Sequence, residues 1–383
     1  MTVVVPYPTL LSTVTGVFAD RGVPPDRARV AARALCHGDL TGVSSHGLVN
    51  LTRLYLPLLS SGRADPAADM AVTADLGACV HADARRALGL WSAAQAVDLA
   101  AARAARHGVG LVSLRGATHI GCAGFHAARA VEHGMVGLVA SNCGGQRIAP
   151  PPGGREPLLG TNPLALACPA GERHPFVLDM STTVVPTGRV RAAAREGREV
   201  PPGWLADESG GAVTDPAAFD RGEARLLWLG GSPETGAYKG FGLGLLVEVL
   251  SALVPGAALG PVGGGSGGGG SGGGGSAASA GGGSAASGGG GAAASAGGGA
   301  DDDIGVLALV IAPDRLRSGF GVDADRLFSA VLGCEPVDPR SPVVYPGWWE
   351  GERARWRRAH GVPLPEELYD ELRAVAPALR AAG

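Results

Sequence analysis

Apolar residues in the first part of the chain recur at helical spacing. In residues 8–35 they lie three and four positions apart on both sides of a break at residues 21–25, which predicts two helices. Residues 48–59 continue with a third amphipathic helix. After a helical unit that ends near residue 65, an alanine-rich helix is predicted over residues 91–106, because a His-Gly pair follows it.

Short apolar runs further along the chain predict buried strands. Residues 109–114 and 135–140 form two such runs, with a glycine-rich turn and a helix-like segment between them. A third run at residues 176–178 is followed by an acidic residue, and a fourth covers residues 304–312. A helix with several glycines is predicted over residues 239–250. The chain is therefore expected to be an α/β (α+β) protein with a helical unit beside an α/β domain.

The composition is typical of a folded enzyme. Of 383 residues, 45% are hydrophobic and 17% are charged, which argues against a disordered or coiled-coil chain. The net charge of −3 and the lack of a Lys/Arg block give no reason to expect nucleic acid as a partner. Six cysteines occur without a CxxC pair, so we expect reduced thiols in a cytoplasmic protein.

No segment predicts a membrane span or a signal peptide. The N-terminus lacks a basic region followed by an apolar core. The most apolar segment, residues 240–260, contains Glu248, Pro255 and five glycines, and it is better explained as a buried helix followed by a loop. Residues 263–300 contain only Gly, Ser and Ala, which predicts a flexible insert, since such residues cannot bury enough apolar area to offset the entropy of ordering.

These boundaries predict four parts of the chain. Residues 1–70 form the helical N-terminal unit, and residues 71–262 form an α/β domain that binds cofactor and substrate. The flexible insert is assigned to residues 263–303. Residues 304–383 are expected to add a closing strand and C-terminal helices that pack on the helical unit.

Two histidines are the main candidates for acid–base chemistry. His119 lies between a strand-like run and a glycine turn, where an imidazole could exchange protons near neutral pH; a structural histidine is the alternative. His46 follows Ser45 at an expected helix start. On a helix the two side chains would point about 100° apart, so no nucleophile–base pair is expected, and capping by Ser44 or Ser45 is the alternative.

Two other polar residues have both a functional and a structural interpretation. Asp179, after a predicted strand, could orient a histidine, bind a ribose hydroxyl or cap a turn. Lys239 could reach a phosphate or a carboxylate, or could simply be solvated. No GxGxxG follows a strand in a βαβ unit, so the usual Rossmann fingerprint is missing. The His and Cys spacings match no metal site, and no metal is expected.

Eight groups of residues, in the same order, resemble the type-2 malate/L-lactate dehydrogenase family. The groups are DLTG at 39–42 with SHG at 45–47, THIGCAG at 118–124, GTNP at 160–163, LDM at 178–180, GW at 203–204, LGG at 229–231, YKGFGL at 238–243 and PG at 346–347. Relatives in this family include ureidoglycolate, sulfolactate and diketogulonate oxidoreductases and a Δ1-piperideine-2-carboxylate reductase. The resemblance covers almost the whole chain except the insert.

The resemblance implies a non-Rossmann malate/L-lactate dehydrogenase-like fold in a homodimer that binds NAD or NADP. It implies hydride transfer between nicotinamide and C2 of a small 2-oxo or 2-hydroxy acid, or of a cyclic imino acid. His119 and His46 each match a position that carries the acid–base role in some members, and we favour His119. The implied cofactor-binding residues are Cys143, Asp179, Met180, Ser181, Thr182, Lys239, Pro346 and Gly347.

The substrate site departs from the family pattern. The implied substrate-binding residues are Ser45, Asn50, Arg53, Thr161 and Asn162. Asn50 stands where the family usually has an arginine suited to a carboxylate, and Arg53, nearly one helical turn further on, could replace it. An imine or amino-acid-like substrate therefore competes with a plain 2-hydroxy acid. A catalytically silent relative that only binds dinucleotide or dimerises is the alternative from another class, and a His–Asp hydrolase is a more distant one.

Overall fold

The computed structural model describes residues 2–232, 234–262 and 303–376. The insert predicted at residues 263–303 lies outside the described residues except for Asp303. The strands are β1 Thr2–Val5, β2 Ala71–Asp75, β3 Cys79–Asp83, β4 Val109–Ala117, β5 Val136–Ser141, β6 Leu164–Cys168, β7 Phe176–Met180, β8 Leu205–Ala206, β9 Ala212–Val213, β10 Arg225–Leu226, β11 Ile304–Ile311 and β12 Val362–Pro365.

The helices frame these strands along the whole described chain. They are α1 Tyr7–Ala19, α2 Pro25–Thr41, α3 Leu56–Ser60, α4 Gly89–His107, α5 Ala123–Ala127, α6 Thr187–Arg195, α7 Ala217–Asp220, α8 Ala237–Glu248, α9 Pro313–Leu316, α10 Phe320–Leu332, α11 Trp348–His360 and α12 Glu366–Val375. The described residues include no helix that is long and apolar enough to cross a membrane.

A seven-stranded mixed sheet forms the centre of the molecule. Its strand order is β2-β3-β4-β11-β5-β6-β7. Only β3 and β4 pair in parallel, and the other neighbours are antiparallel. β11 lies between β4 and β5, so that Leu309 lies opposite Leu111 of β4 and Leu138 of β5. This arrangement differs from a doubly wound parallel sheet.

Helix α4 packs closely on β4 and so fixes the loop that follows this strand. Gly108, with φ +84°, ends the helix in the left-handed conformation and returns the chain into β4. A Cβ atom on Gly110 would overlap the carbonyl oxygen of Ala100 in α4. The small side chains of α4 thus let the strand approach the helix backbone, and β4 then delivers the loop that carries His119.

The C-terminal segment joins the N-terminal helices. β1 and β12 pair antiparallel, with Val3 opposite Leu364. The main apolar core continues from α1 and α2 through α4 to one face of the sheet, and it also includes Leu368 and Leu372 of α12. The first and last described parts of the chain therefore share one core.

A small lobe includes residues 200–216, whose Pro, Gly and Asp content predicts a turn-rich surface loop. β8, β9 and β10 form a three-stranded sheet in the order β10-β8-β9, and Leu205, Leu226 and Trp228 are buried in its core with Val190 of α6. The loop prediction for residues 200–216 was wrong at β8 and β9, because these strands are only two residues long, too short to show a period.

The predicted helix over residues 48–59 is also different in the structure. The chain forms a 3-10 turn at Ser44–His46 and a π-helical turn at Leu51–Tyr55, and only Leu56–Ser60 is an α-helix. The π-turn widens the helix by one residue and places Tyr55 in the core, where it is fully buried.

Candidate active site

A cavity of about 1590 Å³ lies between the helical unit and the edge of the sheet formed by β5, β6 and β7. It is lined by the turn at Ser44–His46, by the loop after β4, by the end of β7 and by α11. The cavity thus collects most of the residues that the sequence motifs single out.

His119 lies at the wall of the cavity, directly after β4. Its Nδ1 atom is 2.8 Å from the hydroxyl of Tyr55 and accepts a hydrogen bond from the Gly121 N–H at 3.2 Å. Burial lowers the pKa of His119 to about 3, and the nearby His46 and His126 act in the same direction. His119 is therefore neutral at physiological pH.

His46 lies beside His119 in the wall of the cavity. The two imidazole rings are stacked, with centroids 5.9 Å apart and an angle of 16° between their planes. Ser45 Oγ lies 3.0 Å from His46 Nδ1, so the expectation that these neighbours point apart was wrong. No side chain caps this turn, and burial lowers the pKa of His46.

Asp39, at the end of α2, holds the turn that carries His46. Its Oδ2 accepts a hydrogen bond from the Leu48 N–H at 2.6 Å. A Cβ atom on Gly47 would overlap the same carboxyl group, so only glycine fits between α2 and the turn. Burial raises the pKa of Asp39 to about 7 against the effect of the Leu48 hydrogen bond.

The candidate substrate residues divide into four that line the cavity and one that lies behind it. Ser45, Asn50, Arg53 and Thr161 line the cavity. Asn50 donates from Nδ2 to the Ser45 carbonyl at 2.9 Å, and Arg53 pairs with Glu371 of α12 at 3.0 Å. The buried Asn162 donates to Gly244 O and Glu248 Oε2.

The candidate cofactor residues at β7 lie along one wall. Asp179, Met180 and Ser181 line the cavity. Asp179 Oδ2 accepts the Gly124 N–H at 2.7 Å, and burial raises the pKa of this carboxyl to about 6. Thr182 is buried behind the wall and donates from Oγ1 to the Thr161 carbonyl at 2.9 Å.

The remaining cofactor candidates are more widely spread. Cys143, Pro346 and Gly347 line the cavity, and Cys143 Sγ lies 3.4 Å from Thr161 Oγ1. The Pro346 carbonyl accepts the Val177 N–H at 3.0 Å. Lys239 is exposed on α8 and is not one of the described residues that line the cavity.

Two glycines at the start of α11 let this helix approach β7 and the segment before it. A Cβ atom on Gly347 would lie 2.7 Å from the Val177 nitrogen, and one on Gly351 would lie 2.5 Å from the ring of His174. The two glycines thus keep the start of α11 close to the end of β7, where Asp179, Met180 and Ser181 line the cavity. A cavity of this size, lined by this polar strand end and by two histidines, fits a dinucleotide together with a small substrate.

Tyr55 and Asp39 are functional candidates that sequence reasoning missed. Tyr55 occupies an apolar position in a pattern read as an ordinary amphipathic helix, so nothing marks it as a partner of His119. Asp39 stands in the DLTG motif, which was noted only for its resemblance to the family. The DLTG motif is therefore the sequence signal that could have identified Asp39. Tyr55 belongs to no motif, so the sequence contains no signal for its role.

Comparisons with known proteins identify the family. The family described as malate/L-lactate dehydrogenase matches residues 5–373. A malate dehydrogenase of Pyrococcus horikoshii is 37% identical over 253 residues, which cover 66% of this chain and 69% of the relative. A (2R)-3-sulfolactate dehydrogenase (NADP(+)) of Chromohalobacter salexigens is 32% identical over 357 residues, 93% of this chain and 92% of the relative.

A solved structure supports the same assignment. The Δ1-piperideine-2-carboxylate reductase of Pseudomonas syringae pvar. tomato superposes with a TM-score of 0.79 at 26% identity, covering 98% of this chain and 100% of that one. The predicted non-Rossmann fold is thereby confirmed. The chain therefore belongs to the malate/L-lactate dehydrogenase family of NAD(P)-dependent oxidoreductases.

Proposed function

We propose that the protein transfers hydride between the nicotinamide of NAD(H) or NADP(H) and C2 of a small 2-oxo or 2-hydroxy acid. The observation that carries this proposal is the stacked pair of His46 and His119 at the wall of a large cavity, in a chain of this family. When bound, the nicotinamide supplies or accepts the hydride. The protein orients the substrate and manages the accompanying proton.

We assign the acid–base chemistry to the imidazole pair. Both rings line the cavity and have a lowered pKa, so both are neutral at pH 7. One ring can donate a hydrogen bond to the oxygen on C2, and the other can accept the proton when a hydroxyl group is oxidised. In this proposal Ser45 and Thr161, which line the cavity, contact the substrate. The cofactor is proposed to contact the other lining residues singled out by the motifs, and the buried Thr182 and Asn162 support them from behind; the lining residues are Asp179, Met180, Ser181, Cys143, Pro346 and Gly347.

A cyclic imino acid is the second candidate substrate, and the neutral Asn50 favours it. Its amide is held by the Ser45 carbonyl, and the guanidinium of Arg53 already contacts Glu371. The positive charge available for a second carboxylate at this end of the cavity is therefore reduced. A ring imine with a single carboxylate needs less compensation than a dicarboxylate.

The test is a panel of 2-oxo acids and cyclic imines, with nicotinamide oxidation followed by absorbance for NADH and for NADPH. The acids differ in the group at C3: methyl, carboxylate or sulfonate. We expect turnover with at least one member. Binding of NADH or NADPH, seen by fluorescence, without turnover on any member would instead identify a catalytically silent relative.

We further propose a homodimer with its contact on α8. Leu246, Val249 and Leu253 are exposed along one side of this helix and the π-turn after it, with exposed fractions of 44%, 45% and 60%. Full burial of such a side chain is favourable by roughly 1.5–3 kcal/mol, so a second copy would gain from covering this stripe.

We also propose a cytoplasmic location for the protein and a division of its chain into two bodies. The described cysteines are all unpaired, which fits the reducing cytoplasm. We propose that residues 1–70 together with α11, β12 and α12 form the body that carries His46, and that residues 71–262 together with β11 carry His119 and the cofactor wall. The active site would then lie between the two.

A further inference from the structure

The hydrogen bonds around His119 determine which of its nitrogens carries the proton. In a neutral imidazole one nitrogen donates and the other accepts. The Gly121 N–H can only donate, and it points to Nδ1 at 3.2 Å. Nδ1 must therefore be the acceptor, and the proton lies on Nε2.

Tyr55 also requires His119 Nδ1 to act as a hydrogen-bond acceptor. Its side chain is fully buried, and in the part of the chain that the structure describes its hydroxyl has His119 Nδ1 as its hydrogen-bond partner, at 2.8 Å. A buried hydroxyl that donated to nothing would lose roughly 1–3 kcal/mol. The Tyr55 O–H therefore donates to Nδ1, and burial keeps this phenol protonated because its pKa is raised well above the ordinary value.

Packing and hydrogen bonds fix the position of the Tyr55 hydroxyl. Tyr55 ends the π-turn Leu51–Tyr55, and its ring packs edge-on against Phe18 with centroids 6.5 Å apart. On the outer side of the turn, Glu371 accepts hydrogen bonds from Thr52 Oγ1 and Arg53 Nη2, both at 3.0 Å. Core packing and an outer carboxylate together hold the turn, and π-turns are frequent at functional sites.

We propose that Tyr55 is a positioning residue that holds His119 with its proton on Nε2, so that His119 acts as a hydrogen-bond donor and not as a base. The identity of the group that receives this hydrogen bond, the oxygen or nitrogen on C2, rests on the proposed function. The state of His119 itself does not.

This assignment separates the tasks of the two histidines. Hydride addition to C2 leaves the electron pair of the former C=O bond on oxygen, where the Nε2–H of His119 stabilises the charge. His119 does not give up that proton, because an imidazolate would remain. The proton that completes the alcohol passes through His46, which is neutral at rest, takes up a proton from solvent and returns to the neutral form when it delivers that proton; alcohol oxidation runs the same steps in reverse.

The direct test is nuclear magnetic resonance of ¹⁵N-labelled histidines in the full-length protein without ligand, with the His119 signal identified by its loss in His119→Gln. At neutral pH we expect a proton on Nε2 and a bare Nδ1. A proton on Nδ1 would overturn the proposal. Because no substrate is present, this result is independent of whether the proposed reaction is correct.

Tyr55→Phe tests the role of the hydroxyl while keeping the ring in the core. With one donor to Nδ1 removed, Nδ1 is easier to protonate, so we expect the pKa of His119 to rise and kcat to fall about tenfold, with an unchanged Kd for the cofactor. Tyr7→Phe removes a phenol hydroxyl outside the site and should change none of these values. A fall in the pKa of His119 in Tyr55→Phe would show that the hydroxyl accepts from Nδ1–H, contrary to the proposal.

Discussion

At the level of single residues, a buried histidine makes the folded protein less stable at low pH. His126 is fully buried, donates from Nε2 to the Ile120 carbonyl at 2.7 Å, and leaves Nδ1 without a partner among the described residues. Protonation would place an unpaired N–H in the interior. Burial is the main reason that the pKa of His126 is lowered to about 4.

The sign of this effect on stability follows from linkage. The unfolded chain binds the proton near pH 6.5 but the folded chain only near pH 4, so stability is lost as the pH falls through this range. We predict that wild type loses about 2 kcal/mol more than His126→Gln between pH 7 and about pH 4.5, measured by urea unfolding. Parallel losses in the two proteins would show that His126 is not responsible.

At the level of secondary-structure elements, stability depends on how closely α4 and β4 approach each other. β4 can lie against α4 only because Gly110 has no Cβ to meet the Ala100 carbonyl. We predict that Gly110→Ala lowers the free energy of unfolding by about 1–3 kcal/mol, because backbone atoms must move apart. Gly16→Ala in α1 is the matched control. Nothing lies within 4 Å of its added Cβ, so it should stabilise by up to about 1 kcal/mol, and equal effects of the two changes would contradict this explanation.

The same elements show how far the sequence allows prediction. Helix α4 was predicted to within two residues at its start, because its periodicity is local and Gly108 marks its end. The π-turn Leu51–Tyr55 was not predicted, since it depends on contacts of Tyr55 with His119 and of Thr52 with Glu371, far away in sequence. Motifs located the histidines, but only the fold determines that their rings stack.

At the scale of the whole molecule, the apolar stripe on α8 is the feature that points to assembly. We predict that Leu246→Glu combined with Leu253→Glu converts a dimer to a monomer in light scattering, because two charges would be buried in the contact. Val72→Glu, at an exposed position on the edge strand β2, should leave the dimer intact. A dimer that survives the double change would move the contact elsewhere.

The most direct test of the account compares wild type with His119→Ala in nicotinamide oxidation, on whichever 2-oxo acid or cyclic imine the panel identifies. Removing a donor or acid–base group at the reacting atom typically costs about 10²-fold or more. We predict a loss of kcat of at least about 100-fold, with the Kd for NADH or NADPH unchanged and with full activity in the control His133→Ala, which alters an exposed histidine. Turnover by His119→Ala equal to that of wild type would contradict the central claim that the reaction takes place at this imidazole.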